Sequence, residues 1–549
     1  MALGVGMKRE SFLKGAMVLA VAGVLTRILG AVYRIPLVGL VGAEGVGLSN
    51  LVYPLYTMLL AISTMGIPIA ISKLIAERIA KDNYRGAQRV FSYSLQVLLA
   101  SGLVFSALLF LGARVFARDL FREPRAYMSI IAISPAILLV AVMSSFRGFF
   151  QGLQKMIPTA ISQIVEQVVR VGTMLTLAYL LMPRGVEFAA AGITFGAVSG
   201  GLAGLCYLTW LYLRFRPEFM DRVRRYDGGG RDTEGSVIWE ILRLSIPVSM
   251  AGLVLPLMQF FDSAIVVPRL QASGVPTEQA TALFGRLAGM AFPIVNLPTM
   301  VTYALGIALV PAISAAMVSG RRGAAQRLAG KGLRVTMLFI LPAMVGIYVL
   351  ATPIMALLYP SEFSTAEAAR QGGTLLATLV SGTLFLAAQQ TSSGVLQGIG
   401  RTDVPVKSLL VGAAFKVAIT WYLTGIPQYG VNGAALGSVI GFLVASSLNV
   451  SSAASLLGFT VHLGDLFVKP VLAVAVMALG ARASFTWILG ALHRQSIATV
   501  AAIGIGAVVY GVTLALIGGV YASDLEMVPR LGPRLAATLE KWGLLKHDD

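Results

Sequence analysis

Residues 158–182 read PTAISQIVEQVVRVGTMLTLAYLLM. The run is long enough to cross a bilayer as a helix, which takes about 20 mostly apolar residues. It is also not uniformly apolar. Thr159, Gln163, Glu166, Arg170 and Thr173 recur at spacings of three and four, so a helix collects them on one face. An apolar span with one polar stripe belongs inside a bundle, with the stripe turned to a cavity or to a neighbouring helix.

Outward from this run the same pattern repeats. The chain of 549 residues is 57% hydrophobic and 12% charged, about half the charge of a soluble domain. Fourteen spans are expected, near 14–39, 47–77, 88–113, 126–150, 158–182, 188–213, 240–267, 283–318, 330–358, 371–397, 404–426, 431–456, 466–489 and 495–520. With the N-terminus inside, the inside segments hold 28 Lys and Arg and the outside loops 10. The positive-inside rule therefore puts both termini in the cytoplasm. The same alternation accounts for the net charge of +18 without a nucleic-acid partner. Of the outside loops, 114–125 is the most basic. It also holds Asp119 and Glu123, which fits an ion-paired turn.

The single cysteine, Cys206, excludes a disulfide framework and is expected to be a small packing residue. Three scattered histidines form no metal motif, and no loop carries an acidic catalytic cluster. The chain is therefore read as a membrane protein with no enzyme chemistry and no cofactor.

Internal matches indicate a duplication. RGAQR at 85–89 returns as RGAAQR at 322–327, and IPIAIS at 67–72 as LVPAIS at 309–314. RGFFQGLQKMIP at 147–158 answers SGVLQGIGRTDVP at 393–405, and AAGITFG at 190–196 answers VNGAALG at 431–437. The order is kept, at an offset of about 240 residues. Each offset covers an even number of spans, so the two repeats are parallel. The expected layout is a six-helix lobe over 1–213, a linker over 214–239 and a second six-helix lobe over 240–456. Two additional helices lie in 457–522, and a cytoplasmic tail covers 523–549, with an amphipathic interfacial helix and a partly ordered terminus as the two forms open to it.

Residues 12–48, FLKGAMVLAVAGVLTRILGAVYRIPLVGLVGAEGVGL, carry a more specific signal. So do STMGIPIAISKLIAE, RGFFQGLQKMIPTAISQIVEQVVR and GVEFAAAG. Together they resemble the branch of the multidrug/oligosaccharidyl-lipid/polysaccharide (MOP) flippase superfamily that holds stage V sporulation protein B and MurJ-like polysaccharide biosynthesis proteins. The resemblance implies an all-α bundle of about fourteen helices, two lobes around a central cavity with two extra C-terminal helices. It implies a substrate class of polyprenyl-diphosphate-linked saccharides, moved from the inner to the outer leaflet of the bacterial cell membrane. MurJ-like proteins carry an Arg-x-x-Gly in the first helix, matched here by Arg27 and Gly30. They commonly carry a further Arg at the place of Tyr33, where this chain has Arg34 one position on.

Flipping needs no nucleophile. It needs cations for the diphosphate in a hydrophilic cavity, and intramembrane charge is where to look. The expected substrate-binding residues are Arg27, Arg34, Gln163, Glu166, Arg170 and Lys416. A structural ion pair is the other role open to Arg27, Arg170 and Lys416. Asp262, with Gln259 one turn before it, is the candidate for a coupling Na+ or H+, with a buried salt bridge as the other role. Gln389, Gln390, Ser393 and Gln397 form a polar face suited to helix–helix hydrogen bonding. The second function class is a cation-coupled multidrug exporter. Five basic residues within the spans (Arg27, Arg34, Lys73, Arg170 and Lys416) against Glu166 and Asp262 favour an anionic substrate over a cationic one.

Overall fold

The computed structural model describes residues 12–64, 66–225, 234–458, 468–519 and 521. Every regular element among them is helical. Thirteen helical segments among the described residues are long and apolar enough to cross a membrane. Contacts divide the chain into two compact units. One reaches to Gln271 and includes Val275–Gly285; the other holds Ala272–Gly274 and the chain from Arg286 on.

The first unit begins with α1 (Phe12–Val32), α2 (Arg34–Thr64), α3 (Ile67–Ala80), α4 (Tyr84–Leu111) and the short α5 (Ala113–Val115). It continues with α6 (Ala126–Gly152), α7 (Ile157–Leu181), α8 (Val186–Arg225), α9 (Glu234–Ala272) and α10 (Thr277–Gly285). Two backbone breaks correct the expected uninterrupted spans over 14–39 and 47–77, and a kink lies between those spans. Pro36 has no N–H for the Val32 carbonyl, and the helix breaks at Tyr33. Gly42 sits inside α2 with φ 65° and ψ −177°, a kink that a residue with a Cβ resists. Gly66, at φ 64°, then starts α3 with Pro68 in its first turn. Helix α8 runs on to Arg225 and α9 starts at Glu234, so helix occupies both ends of the 214–239 interval. Residues 226–233 within it lie outside those described, as does the tail from 522.

Aromatic packing fixes the end of α6. Phe149 lies 4.7 Å from Phe91 of α4 and 5.3 Å from Phe219 of α8, ring centre to ring centre. The loop after α5 is ion-paired, as its composition suggested, but around a buried carboxylate. Arg125 binds Glu123 through Nη2 at 2.8 Å and Nε at 2.9 Å, and also contacts Glu44 of α2. The Thr281 hydroxyl of α10 donates to Glu123 at 2.6 Å. Hydrogen bonding to Glu123, against the opposing effect of burial and with help from Glu44, raises the Arg125 guanidinium above its ordinary value. Cys206 is exposed on α8, which corrects its reading as a packing residue. Its α8 neighbour Gly204 makes the tight contact instead, its Cα hydrogen facing Met143.

The second unit holds α11 (Phe292–Val318), α12 (Arg322–Val349), α13 (Ala351–Leu358), α14 (Ala366–Val380) and α15 (Thr383–Gly398). It ends with α16 (Asp403–Thr424), α17 (Val431–Leu457), α18 (Lys469–Leu492) and α19 (Gln495–Leu516). The expected single spans over 330–358 and 371–397 are each two helices here, parted at Leu350 and at Ser381–Gly382. The buried polar face of α15 bonds to its neighbours. Thr302 donates to Gln390 at 2.8 Å, Thr336 and Thr391 lie 2.7 Å apart, and Asn449 donates to Ser393 at 2.9 Å. Gln397 departs from that face and is exposed. Helices α18 and α19 pack on this unit, with the Tyr510 hydroxyl donating to the Leu338 carbonyl at 2.8 Å.

Candidate functional site

Helix α7 is held against α8 by glycines four residues apart. A Cβ on Gly196 would stand 2.3 Å from Met174 Cγ, and one on Gly200 2.6 Å from the Glu166 carbonyl and 2.9 Å from Arg170 Cβ. Small residues at this spacing let helix backbones approach closely in a membrane. The approach fixes the height and rotation of Glu166 and Arg170. The motif matched to it, VNGAALG, sits in the same kind of pair. There, Cβ atoms on Gly437 and Gly441 would meet the Lys416 carbonyl at 3.0 Å and Lys416 Cβ at 2.7 Å.

A cavity of about 320 Å3 lies within the first unit. Thr26 and Gly30 of α1 line it, with Tyr33 and Arg34 at the break. From α2 come Leu37, Val38, Val46, Ser49, Asn50 and Tyr53; from α7, Gln167, Arg170 and Met174; from α8, Ile193, Thr194 and Ala197. Among the described residues, two arginines line this space and no acidic residue does. Tyrosine rings, amides and hydroxyls supply the other polar groups, the kind that stack on and hydrogen-bond to sugars.

Behind the wall, charges are paired. Arg170 binds one oxygen of Glu166, its i−4 neighbour. Arg147 of α6 binds the other oxygen at 2.8 Å and donates through Nε to the Ser162 hydroxyl at 3.0 Å. Arg170 also donates to the Tyr53 hydroxyl at 3.4 Å. Among the described residues its Nε is buried without a hydrogen-bond partner, as are Gln163 Oε1 and Thr159 Oγ1.

The stripe read from 158–182 is thus real on α7, but its members differ. Arg170 reaches the cavity, Glu166 stands behind it, and Gln163 and Thr159 point into the packed interior. Arg34 lines the same cavity as Arg170. The break at Tyr33 falls between Arg27 and Arg34, so they are not carried on one straight helix. Arg27 is on α1; its side chain lies outside the described residues. Asp262 is buried on α9 with Gln259 exposed. Lys416 is buried in the second unit, its ammonium 5.8 Å from the centre of the Phe292 ring.

Tyr33, Asn50, Tyr53 and Gln167 are among the cavity residues that were not singled out as binding residues from sequence. Gln167 adjoins the stripe and was within reach. The others depend on how α1 and α2 bend, signalled only by Pro36 and Gly42. Arg147 was counted with the 147–155 loop, whereas α6 continues to Gly152 and places it within the bundle.

Helix content, spans and a cationic cavity among them define a multi-pass membrane protein with the architecture of MOP-superfamily transporters. Solved structures agree on the fold. The lipid II flippase MurJ in an inward closed conformation matches with a TM-score of 0.68 at 16% identity, over 91% of this chain and 98% of that one. An inward-facing MATE multidrug resistance transporter matches with a TM-score of 0.66 at 18% identity, over 79% and 94%. The chain belongs to the polysaccharide biosynthesis protein family, whose model matches residues 12–317, and the model for lipid II flippase MurJ matches residues 290–521. Its relatives include stage V sporulation protein B of Bacillus subtilis, 30% identical over 84% of this chain and 86% of that protein. Lipid II flippase MurJ of Bacillus subtilis is 28% identical over 79% and 81%. Among these names, lipid II flippase and multidrug resistance transporter state transport functions.

Proposed function

We propose that the protein is a flippase that carries a polyprenyl-diphosphate-linked saccharide from the inner to the outer leaflet by alternating access. One observation carries this reading: among the described residues, the cavity is lined by Arg34 and Arg170 and by no acid. A guanidinium fork matches phosphate oxygens and strengthens in a poorly solvated space. Tyr33, Asn50, Tyr53 and Gln167 suit the saccharide beside it. Arg27 and Lys416 remain proposed contributors to diphosphate binding. The multidrug exporter is the second reading, supported by the MATE-like fold. It calls for acidic residues facing a cationic drug, the opposite of this lining. Depleting the protein in its own cells and analysing the membrane tests the choice. A flippase leaves a lipid-linked saccharide trapped on the inner leaflet; an unchanged lipid pool with raised sensitivity to cationic drugs would favour the exporter.

Both termini are proposed to be cytoplasmic, in the bacterial cell membrane. In a Cys206→Ser background, Arg184→Cys should react with a membrane-impermeant maleimide in whole cells and Ser319→Cys should not. The reverse pattern would overturn this orientation. Asp262 is proposed as the coupling carboxylate for Na+ or H+. Asp262→Asn should remove the ion dependence of transport while the protein still inserts normally. Retained dependence in a well-folded variant would leave Asp262 a structural role.

A further inference from the structure

Two guanidiniums share one carboxylate behind the cavity wall, and they share it unequally. Arg147 holds a Glu166 oxygen at 2.8 Å and the Ser162 hydroxyl at 3.0 Å, both inside the packed bundle. Arg170 holds the other Glu166 oxygen, but its remaining contacts among the described residues are weak: the Tyr53 hydroxyl at 3.4 Å, and an Nε with no partner there. Arg170 is also the member that lines the cavity. The group carries a net charge of +1, and its member with the fewer firm contacts faces the cavity.

We infer that Glu166 is a competing counter-ion: it neutralises Arg170 while the cavity is empty and takes it back when an anionic headgroup leaves. This rests on reading the cavity as a diphosphate site. A guanidinium surrounded by hydrocarbon needs an anion at every stage of a transport cycle. Glu166 can supply one throughout, because a partner four residues away on the same helix moves with Arg170 however the protein opens. A diphosphate offers more charge and more oxygens, so it displaces the carboxylate. The carboxylate in turn keeps the headgroup from being held too long, and a transported solute must be bound weakly enough to leave. Arg147 anchors Glu166 during the exchange, so the carboxylate is not stranded when Arg170 turns away.

Binding of farnesyl diphosphate to the purified full-length protein tests this. Glu166→Gln should tighten binding about ten- to a hundredfold, the range of one charge-assisted hydrogen bond, and should slow turnover in proteoliposomes. Arg147→Gln/Glu166→Gln restores the net charge of +1 and still frees Arg170, so it should bind as tightly as the single variant. It also serves if the single variant fails to accumulate, because Arg147, the arginine packed away from the cavity, is then no longer left without its carboxylate. Wild-type affinity in the double variant would overturn the inference, assigning any tightening to net charge. Unchanged or weaker binding in Glu166→Gln would overturn it too, and leave the diphosphate reading standing. Absence of binding in the wild type and every variant would overturn the diphosphate reading itself. Inorganic pyrophosphate, run alongside, should bind more weakly than farnesyl diphosphate; equal binding would overturn the assignment of the anion to a lipid headgroup.

Discussion

Arg170→Ala should abolish complementation of a flippase-depleted cell while the protein reaches the membrane at normal levels. The separation of the two effects follows from the pairing behind the cavity. Removing Arg170 leaves Glu166 bound to Arg147, so no carboxylate is stranded. The lost group is the one facing the cavity. Truncating one side of a desolvated charge pair costs about 3 kcal/mol, roughly a hundredfold in affinity, which is enough to stop transport at cellular substrate levels. Arg170→Lys keeps the charge and loses the fork, so partial rescue is expected. Poor accumulation of Arg170→Ala, with recovery on neutralising Glu166, would show that Arg170 is a structural ion-pair partner. Immunoblotting of membranes alongside the growth assay separates the cases.

Gly200→Leu should remove function by a different route, through the scaffold. Even a Cβ there would lie 2.6 Å from the Glu166 carbonyl and 2.9 Å from Arg170 Cβ. These are backbone and near-backbone atoms that cannot swing aside, so α7 must move away from α8. The shift carries Glu166 away from Arg147 and displaces Arg170 from the cavity. Overpacking of this kind costs about 1–3 kcal/mol, and the expected result is low membrane accumulation with no complementation. Gly172→Ala on the same helix is the control. A Cβ there meets nothing within 4 Å, and alanine is the better helix former, so normal accumulation and function are expected. Equal behaviour of the two variants would mean that close approach at Gly200 does not set the site.

The parts of this site that could be read from sequence were those confined to one helix. The spacing of Thr159, Gln163, Glu166 and Arg170 gave both the stripe and the Glu166–Arg170 pair, because helical geometry alone dictates them. Glycines recur at 192, 196, 200 and 204, a pattern not singled out from sequence, and nothing local says which helix they press. Arg147 was misplaced for a related reason. It lies five residues before the end of α6, where an apolar pattern gives way to polar residues, and only tertiary packing shows that the helix continues. Tyr33, Asn50 and Tyr53 reach the cavity through the breaks at Tyr33 and Gly42. Pro36 and Gly42 are the local signs of these breaks, but Pro36 was read through as part of one span, and neither residue gives a break its direction. In the second unit, the α15 face was read as helix–helix hydrogen bonding and is so used, except at Gln397. Cys206 was read from its apolar surroundings alone, which cannot separate a buried position from an exterior one in a membrane helix.

The central claim is that the cavity moves an anionic, lipid-linked headgroup. Its most direct measurement is a leaflet assay in proteoliposomes. A fluorescent polyprenyl-diphosphate saccharide is placed in both leaflets, and the fraction accessible to an external quencher or enzyme is followed over time. The wild-type protein should bring the lipid in the protected leaflet to the accessible side, and Arg170→Ala should leave it protected. Export of a small cationic dye by the same vesicles, with the lipid remaining protected, would contradict the claim.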